Sequence, residues 1–220
     1  MSTMTTQPQS LLMSLPAEIR IAIWELLLLR PVNIPKTLTQ TTTTTHDLPT
    51  ASLLRVSKQL HAETLPILYG ENTFLAHPTL LTTLPSFLLT KPTSHRPQTL
   101  PPITTPRLLP HIRRFYIHVR LDTDPRFSKL QATESFTGVE RLEVEVFQAM
   151  YGSCDFEVLR LFEGVRGVGR AVVWGSVGDG RYAEWLAGSM MRGVGEEVEG
   201  FEEEFVGGER AWHAWAQGNR

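Results

Sequence analysis

The chain is predicted to be an α+β or α/β protein. A helical segment comes first, and a small sheet of repeat-like strands with flanking helices follows. Three observations predict this. LPAEIRIAIWELLLL, residues 15–29, carries apolar residues at helical spacing. IRRFYIHV (112–119), VERLEVEV (139–146) and VGRAVVWG (168–175) align without gaps and read as strands. Between these halves, 90–110 holds six prolines, the punctuation of a linker or long loop.

Residues 1–14 are polar and are expected to be disordered. In the first helix Pro16 suits the first position, where a missing N–H costs nothing. Glu18 lies in the first turn, where the helix dipole favours an anion. Ile19, Ile23, Leu26 and Leu27 form the expected core face, widened by Ala22, Trp24 and Leu28. Pro31 ends the helix, and the Thr-rich insertion at 36–50 reads as an exposed loop within a helical region spanning 15–89.

The next stretch, LLRVSKQLHAETLPILYGENTF at 53–74, places Leu53, Val56, Leu60 and Thr64 on one helical face. Pro66 lacks an N–H and disfavours helix at Leu65, so the helix is expected to stop near Glu63 or Thr64. A short turn over Pro66–Tyr69, a Gly70 cap and an extended Asn72–Leu75 should follow. Leu53, Val56, Leu60 and Leu68 are expected to pack on Ile19, Ile23 and Leu27. Pro78–Leu89 reads as a short apolar helix weakened by Pro85.

In the strand-helix region, 111–192, the three aligned segments start 27 and 29 residues apart, each with arginine at its third position (Arg114, Arg141, Arg170). Asp122–Ser135 is all that joins the first two. Asp155–Gly164 reads as helix before the third segment, and Arg181–Arg192 as helix after it. A period near 28 with one strand per unit fits stacked, leucine-rich-repeat-like units with a parallel sheet. It equally fits an ordinary α/β layer whose strands are evenly spaced. The tail, 193–220, is glutamate-rich and is expected to be solvated and partly mobile, with Trp212 and Trp215 either packing back on the domain as one helical turn, the favoured reading, or left free as partner-binding aromatics.

Composition excludes more than it identifies. The formal charge of −2 over 220 residues argues against nucleic-acid binding, which needs a clustered basic surface. One cysteine, Cys154, allows neither an internal disulfide nor a cysteine zinc cage, and fits a reducing compartment. The longest apolar run, Ile19–Leu29, is shorter than the roughly 20 residues that span a bilayer. The expectation is an intracellular protein, cytoplasmic or nuclear, without membrane partners.

No local pattern carries a reaction. Seven histidines are scattered without the spacing of a helical zinc pair. Cys154 has no visible base or electropositive neighbour. The turn GSVGDG at 175–180 sits between strand and helix, as phosphate loops do, but lacks GxGxxG and GK[ST] spacing, and Asp179 would repel a phosphate. A flexible βα turn is the favoured reading. Arg113, Arg114, Phe115 and Tyr116 mix basic and aromatic residues, but a strand sends them to alternate faces, so no stacking platform forms. No catalytic residue, cofactor or metal is expected, although an enzyme can gather its groups from distant positions.

Two motifs together resemble a known family. LPAEIRIAIWELLL is similar to the first helix of F-box and F-box-like domains, with Leu15, Pro16, Glu18, Ile19, Arg20, Ile23, Trp24 and Glu25 matching. LLRVSKQLHAETLPILYGENTF is similar to the second signature of a large fungal group of F-box-like proteins. There Leu53, Leu54, Val56, His61, Glu63, Leu65, Pro66, Leu68, Tyr69, Asn72 and Phe74 match. The resemblance covers 15–75. It implies a non-enzymatic adaptor whose helical module docks on the linker subunit of a cullin-type ubiquitin ligase while the C-terminal half recruits a protein substrate. Leu15, Pro16, Ile19 and Trp24 would form the partner-binding face. The alternative is that both motifs serve packing alone.

Overall fold

The computed structural model describes residues 10–29, 51–78, 81, 88–89, 103, 105–148 and 157–201. The chain forms two compact units that divide between Asn72 and Thr73. The sequence reading placed that division in the 90–110 stretch. The difference arises because the extended residues after Asn72 join the sheet.

The helical unit is built on α1 (Ala17–Leu28) and α2 (Lys58–Pro66). Pro16 caps α1 instead of opening it. Before it, Leu11–Ser14 form a 3-10 turn whose Leu12 and Met13 pack on the core, so order begins earlier than expected. A 3-10 turn at Ala51–Arg55 leads to Ser57, which caps α2 by accepting from the Leu60 N–H at 3.1 Å. The second helix therefore starts later than the apolar pattern implied. Val56 falls outside it and is exposed.

The chain does not break at Thr64. α2 continues to Pro66 and runs directly into a π-helical turn, Ile67–Glu71. Pro66 removes the donor that Ala62 carbonyl would take in a regular α-helix. The wider turn that follows lets the chain stay helical and bury Ile67 and Leu68. Gly70 lies inside this turn and does not cap it.

Among the described residues the sheet unit has five strands: β1 (Thr73–Leu75), β2 (Leu88–Leu89), β3 (Arg114–Arg120), β4 (Arg141–Phe147) and β5 (Arg170–Gly175). Their order is β2-β1-β3-β4-β5. β1, β3, β4 and β5 are parallel, and β2 pairs antiparallel at the edge. Leu88 and Leu89 thus end in strand where a helix was expected. The middle of that predicted helix lies outside the described residues, as do the Thr-rich insertion, most of the proline-rich stretch, Cys154, and Trp212 and Trp215.

The three aligned segments pair in the register that the alignment implies: Arg114 opposite Arg141, and Arg141 opposite Arg170. Each strand is followed by a helix, α3 (Lys129–Phe136), α4 (Glu157–Arg160) and α5 (Arg181–Met190). Sequence reasoning missed α3. Its signal was present, since Ser128 and Gln131 form a capping box with both reciprocal bonds in place.

The alternation of β3 and β4 sends Phe115, Ile117, Val119, Leu142, Val144 and Val146 to one face, all buried. The helices cover that face. Phe115 meets Phe136 edge-on at 5.6 Å, and Phe136 stacks on Phe162 at 6.1 Å.

Candidate functional site

The residues that carried the family resemblance converge in the helical unit, and most of them point inward. Arg20, Trp24 and Leu28 sit four residues apart on α1, so they form one stripe. Trp24 is 1% exposed and Leu28 is fully buried, packed with Leu60, Ile67 and Leu68. Trp24 is therefore core. Its assignment to a partner-binding face is corrected: a side chain this deep has no surface to offer.

Glu63 of α2 gathers the polar ends of this stripe. Its carboxylate accepts from Arg20 Nη2 at 2.7 Å and Nε at 3.1 Å, a two-pronged guanidinium pair. It also accepts from Trp24 Nε1 at 3.1 Å and from Gln59 Nε2 at 3.1 Å. The Arg20 bonds first, and the Trp24 bond second, hold the carboxyl down to about 2 from an ordinary value of 4.5. Arg20 Nη1 donates back to the Leu15 carbonyl at 2.5 Å, which ties the entry of α1 to the same carboxylate. Thr64, fully buried, gives its hydroxyl to the Leu60 carbonyl at 2.7 Å. At the end of the π turn the buried Asn72 amide donates to the carbonyls of Leu28 and Leu68, both at 2.9 Å. These two bonds satisfy carbonyls that the helix ends would otherwise leave open.

The stripe chosen by these polar bonds turns the predicted core face outward. Ile19 is 51% exposed, Leu26 86% and Leu27 54%. Only Ile23 of the four is packed against the core. Nearly every position of α1 is apolar, so apolar spacing alone could not choose its buried side. Of the other proposed contact residues, Leu15 is half-buried and Pro16 is exposed.

On the sheet, the face opposite α3–α5 is polar. Arg141 pairs with Glu143, whose carboxylate is 4% exposed as a residue, and the Tyr116 hydroxyl donates to Glu145. Burial pushes the Tyr116 phenol up, helped by Glu145. Arg114 pairs with Glu140 at 2.7 Å, and Arg120 with Asp122 at 2.9 Å. Burial and the neighbouring His118 lower the His77 imidazole. Glu143, Glu145, Glu140 and Asp122 each meet a neighbouring cation or hydroxyl, within a strand or between adjacent strands, so the cluster reads as local polar pairing. Phe115 and Tyr116 do lie on opposite faces, as the strand reading required.

The glycine-rich turn at 175–180 is a βα turn. Gly175, Gly178 and Gly180 all take positive φ, which the chain needs there to reverse into α5. Asp179 occupies the helix start, accepting from the Arg181 N–H at 3.1 Å and Nε at 2.6 Å. A carboxylate already sits where a phosphate would bind. Among the described residues no three His, Cys, Asp or Glu side chains are placed to hold a metal ion, and no helix is long and apolar enough to cross a membrane.

No protein-family model, curated protein or solved structure matches this chain.

Proposed function

We propose that this chain is a protein-interaction module that docks through the outward strip of α1, as an F-box-like adaptor on a cullin-ligase linker subunit. The supporting observation is the exposure of Ile19, Leu26 and Leu27 on a helix whose opposite side is anchored by Arg20, Trp24 and Leu28. Three large aliphatic side chains left in water on a well-anchored helix suit capture of a partner's apolar helix. The sheet unit would then present the recruited protein.

The test is affinity capture from the native host with an Ile19→Asp/Leu26→Asp variant. Both residues are exposed, so the variant is expected to keep its circular dichroism and Tm. Recovery of the ligase linker by the wild-type chain, and its loss with the folded variant, supports the adaptor. Equal recovery by both removes α1 as the docking face.

A second reading has its own support. Arg20, Trp24, Glu63 and Asn72 all belong to the two motifs, and all spend their polar groups on internal bonds. On this reading the motifs are a folding signature, and partner choice lies elsewhere. It predicts that the charged α1 variant captures the same proteins as wild type.

A further inference from the structure

The start of the C-terminal tail is not free. The chain leaves α5 through Gly193, whose N–H donates to Glu196 Oε2 at 2.8 Å, while the Glu196 N–H returns to the Gly193 carbonyl at 3.1 Å. Arg192 pairs with Glu196 at 3.7 Å, and Gly195 turns the backbone with φ of 84°. Beyond Glu196 the character changes. From Glu197 through Phe201, no backbone–backbone bond joins the segment to another described residue. The segment is held by side chains instead. The Trp185 indole donates to the Glu199 carbonyl at 3.2 Å. The Phe201 ring meets Tyr182 edge-on at 5.1 Å and lies 5.7 Å from Trp185. Tyr182 and Trp185 are themselves stacked at 5.5 Å. Tyr182 is buried and its hydroxyl is fixed on Glu163 at 2.8 Å, so this wall of the slot has an anchor outside the tail.

We infer that Tyr182 and Trp185 form a docking slot on α5 for an aromatic residue in an acidic peptide, and that the chain's own Phe201 keeps it filled. The slot supplies two ring faces and one indole donor aimed at a main-chain carbonyl two residues before the inserted ring. Such elements recognise a short extended peptide. In sequence Phe201 is flanked by Glu199 and Glu202–Glu204, and Arg192 pairs with Glu196 at the start of the segment. An arrangement of one ring and one hydrogen bond, with no backbone ladder among the described residues, is a contact that a competing segment can replace.

The probe is a labelled peptide copying residues 196–204, EEVEGFEEE, titrated into the full-length chain and read by anisotropy. Phe201→Ala empties the slot and is expected to bind the peptide at least tenfold more tightly than wild type. A control peptide with alanine in place of its phenylalanine should lose that binding. Phe201→Leu, which keeps apolar bulk, should show an intermediate gain and replaces the alanine variant should that fail to fold. Equal binding by wild type and folded variants, or no binding by any of them, would overturn the slot.

Discussion

The helical unit and the sheet unit solve the same problem, the placing of each element's buried side, by opposite means. In the sheet, an apolar row recurs at the strand period and the partner strands repeat it: Phe115, Ile117 and Val119 beside Leu142, Val144 and Val146. In the helical unit apolar residues occur nearly all round α1, and the choice falls to polar bonds. Arg20 and Trp24 are drawn to Glu63, and four large aliphatics, Ile19, Ile21, Leu26 and Leu27, are left outside. A period-2 pattern names its own buried face. A helix apolar on all sides names none, and the few polar groups that must be satisfied decide.

The sharpest way to break this contrast lies on α1 itself. Trp24→Ala should cost roughly 3–5 kcal/mol, the range for emptying a buried aromatic site. Leu26→Ala should stay within about 0.5 kcal/mol, as for an exposed position without special contacts. Urea unfolding of both variants checks the pair, and a large loss at Leu26 would reverse the assignment of the face. In the sheet unit the corresponding weak point is backbone geometry. Gly175 takes φ of 104° at the end of β5, a region closed to ordinary side chains. Gly175→Ala is expected to lose roughly 1–3 kcal/mol by the same measurement.

The smallest effect separates the units by pH. Glu63 titrates near 2 in the folded chain against about 4.5 when free, so its bonds to Arg20 and Trp24 contribute fully above pH 4.5. As pH falls from 4.5 to 2 the unfolded chain binds the proton first, and this contribution is progressively lost. Tm scans of wild type and Glu63→Gln should therefore converge across that window. A constant gap down to pH 2 would mean that the carboxylate's charge is not what holds the clamp.

The C-terminal half was more legible than the N-terminal one, for physical reasons. The gap-free alignment of three segments marked the strands and left their stacking open; the structure pairs them in parallel, and parallel neighbours with one residue in common share the rest of the register. α3 was present as Ser128 and Gln131 but fell in a connection read only for its length. At Pro66 a local rule was applied as a stop, while tertiary burial of Ile67 and Leu68 carried the helical path through it. The motif residues of the helical unit were identified individually. Which of them met could not be read, since Arg20 and Glu63 are joined across 43 positions and no spacing rule links them. Phe201 was hidden among glutamates, whose composition speaks for solvent and is silent about one anchored ring.

The row of aligned arginines has a further consequence. β5 is the outermost strand of its side of the sheet among the described residues. A strand copied from the same block of 27 to 29 residues would meet there the same pairing rule that already joins β3 to β4 and β4 to β5. The number of units is then not dictated by closure, as it is in a barrel. Duplication or excision of one whole block would keep the arginine row aligned, the register condition for a half that changes length in steps.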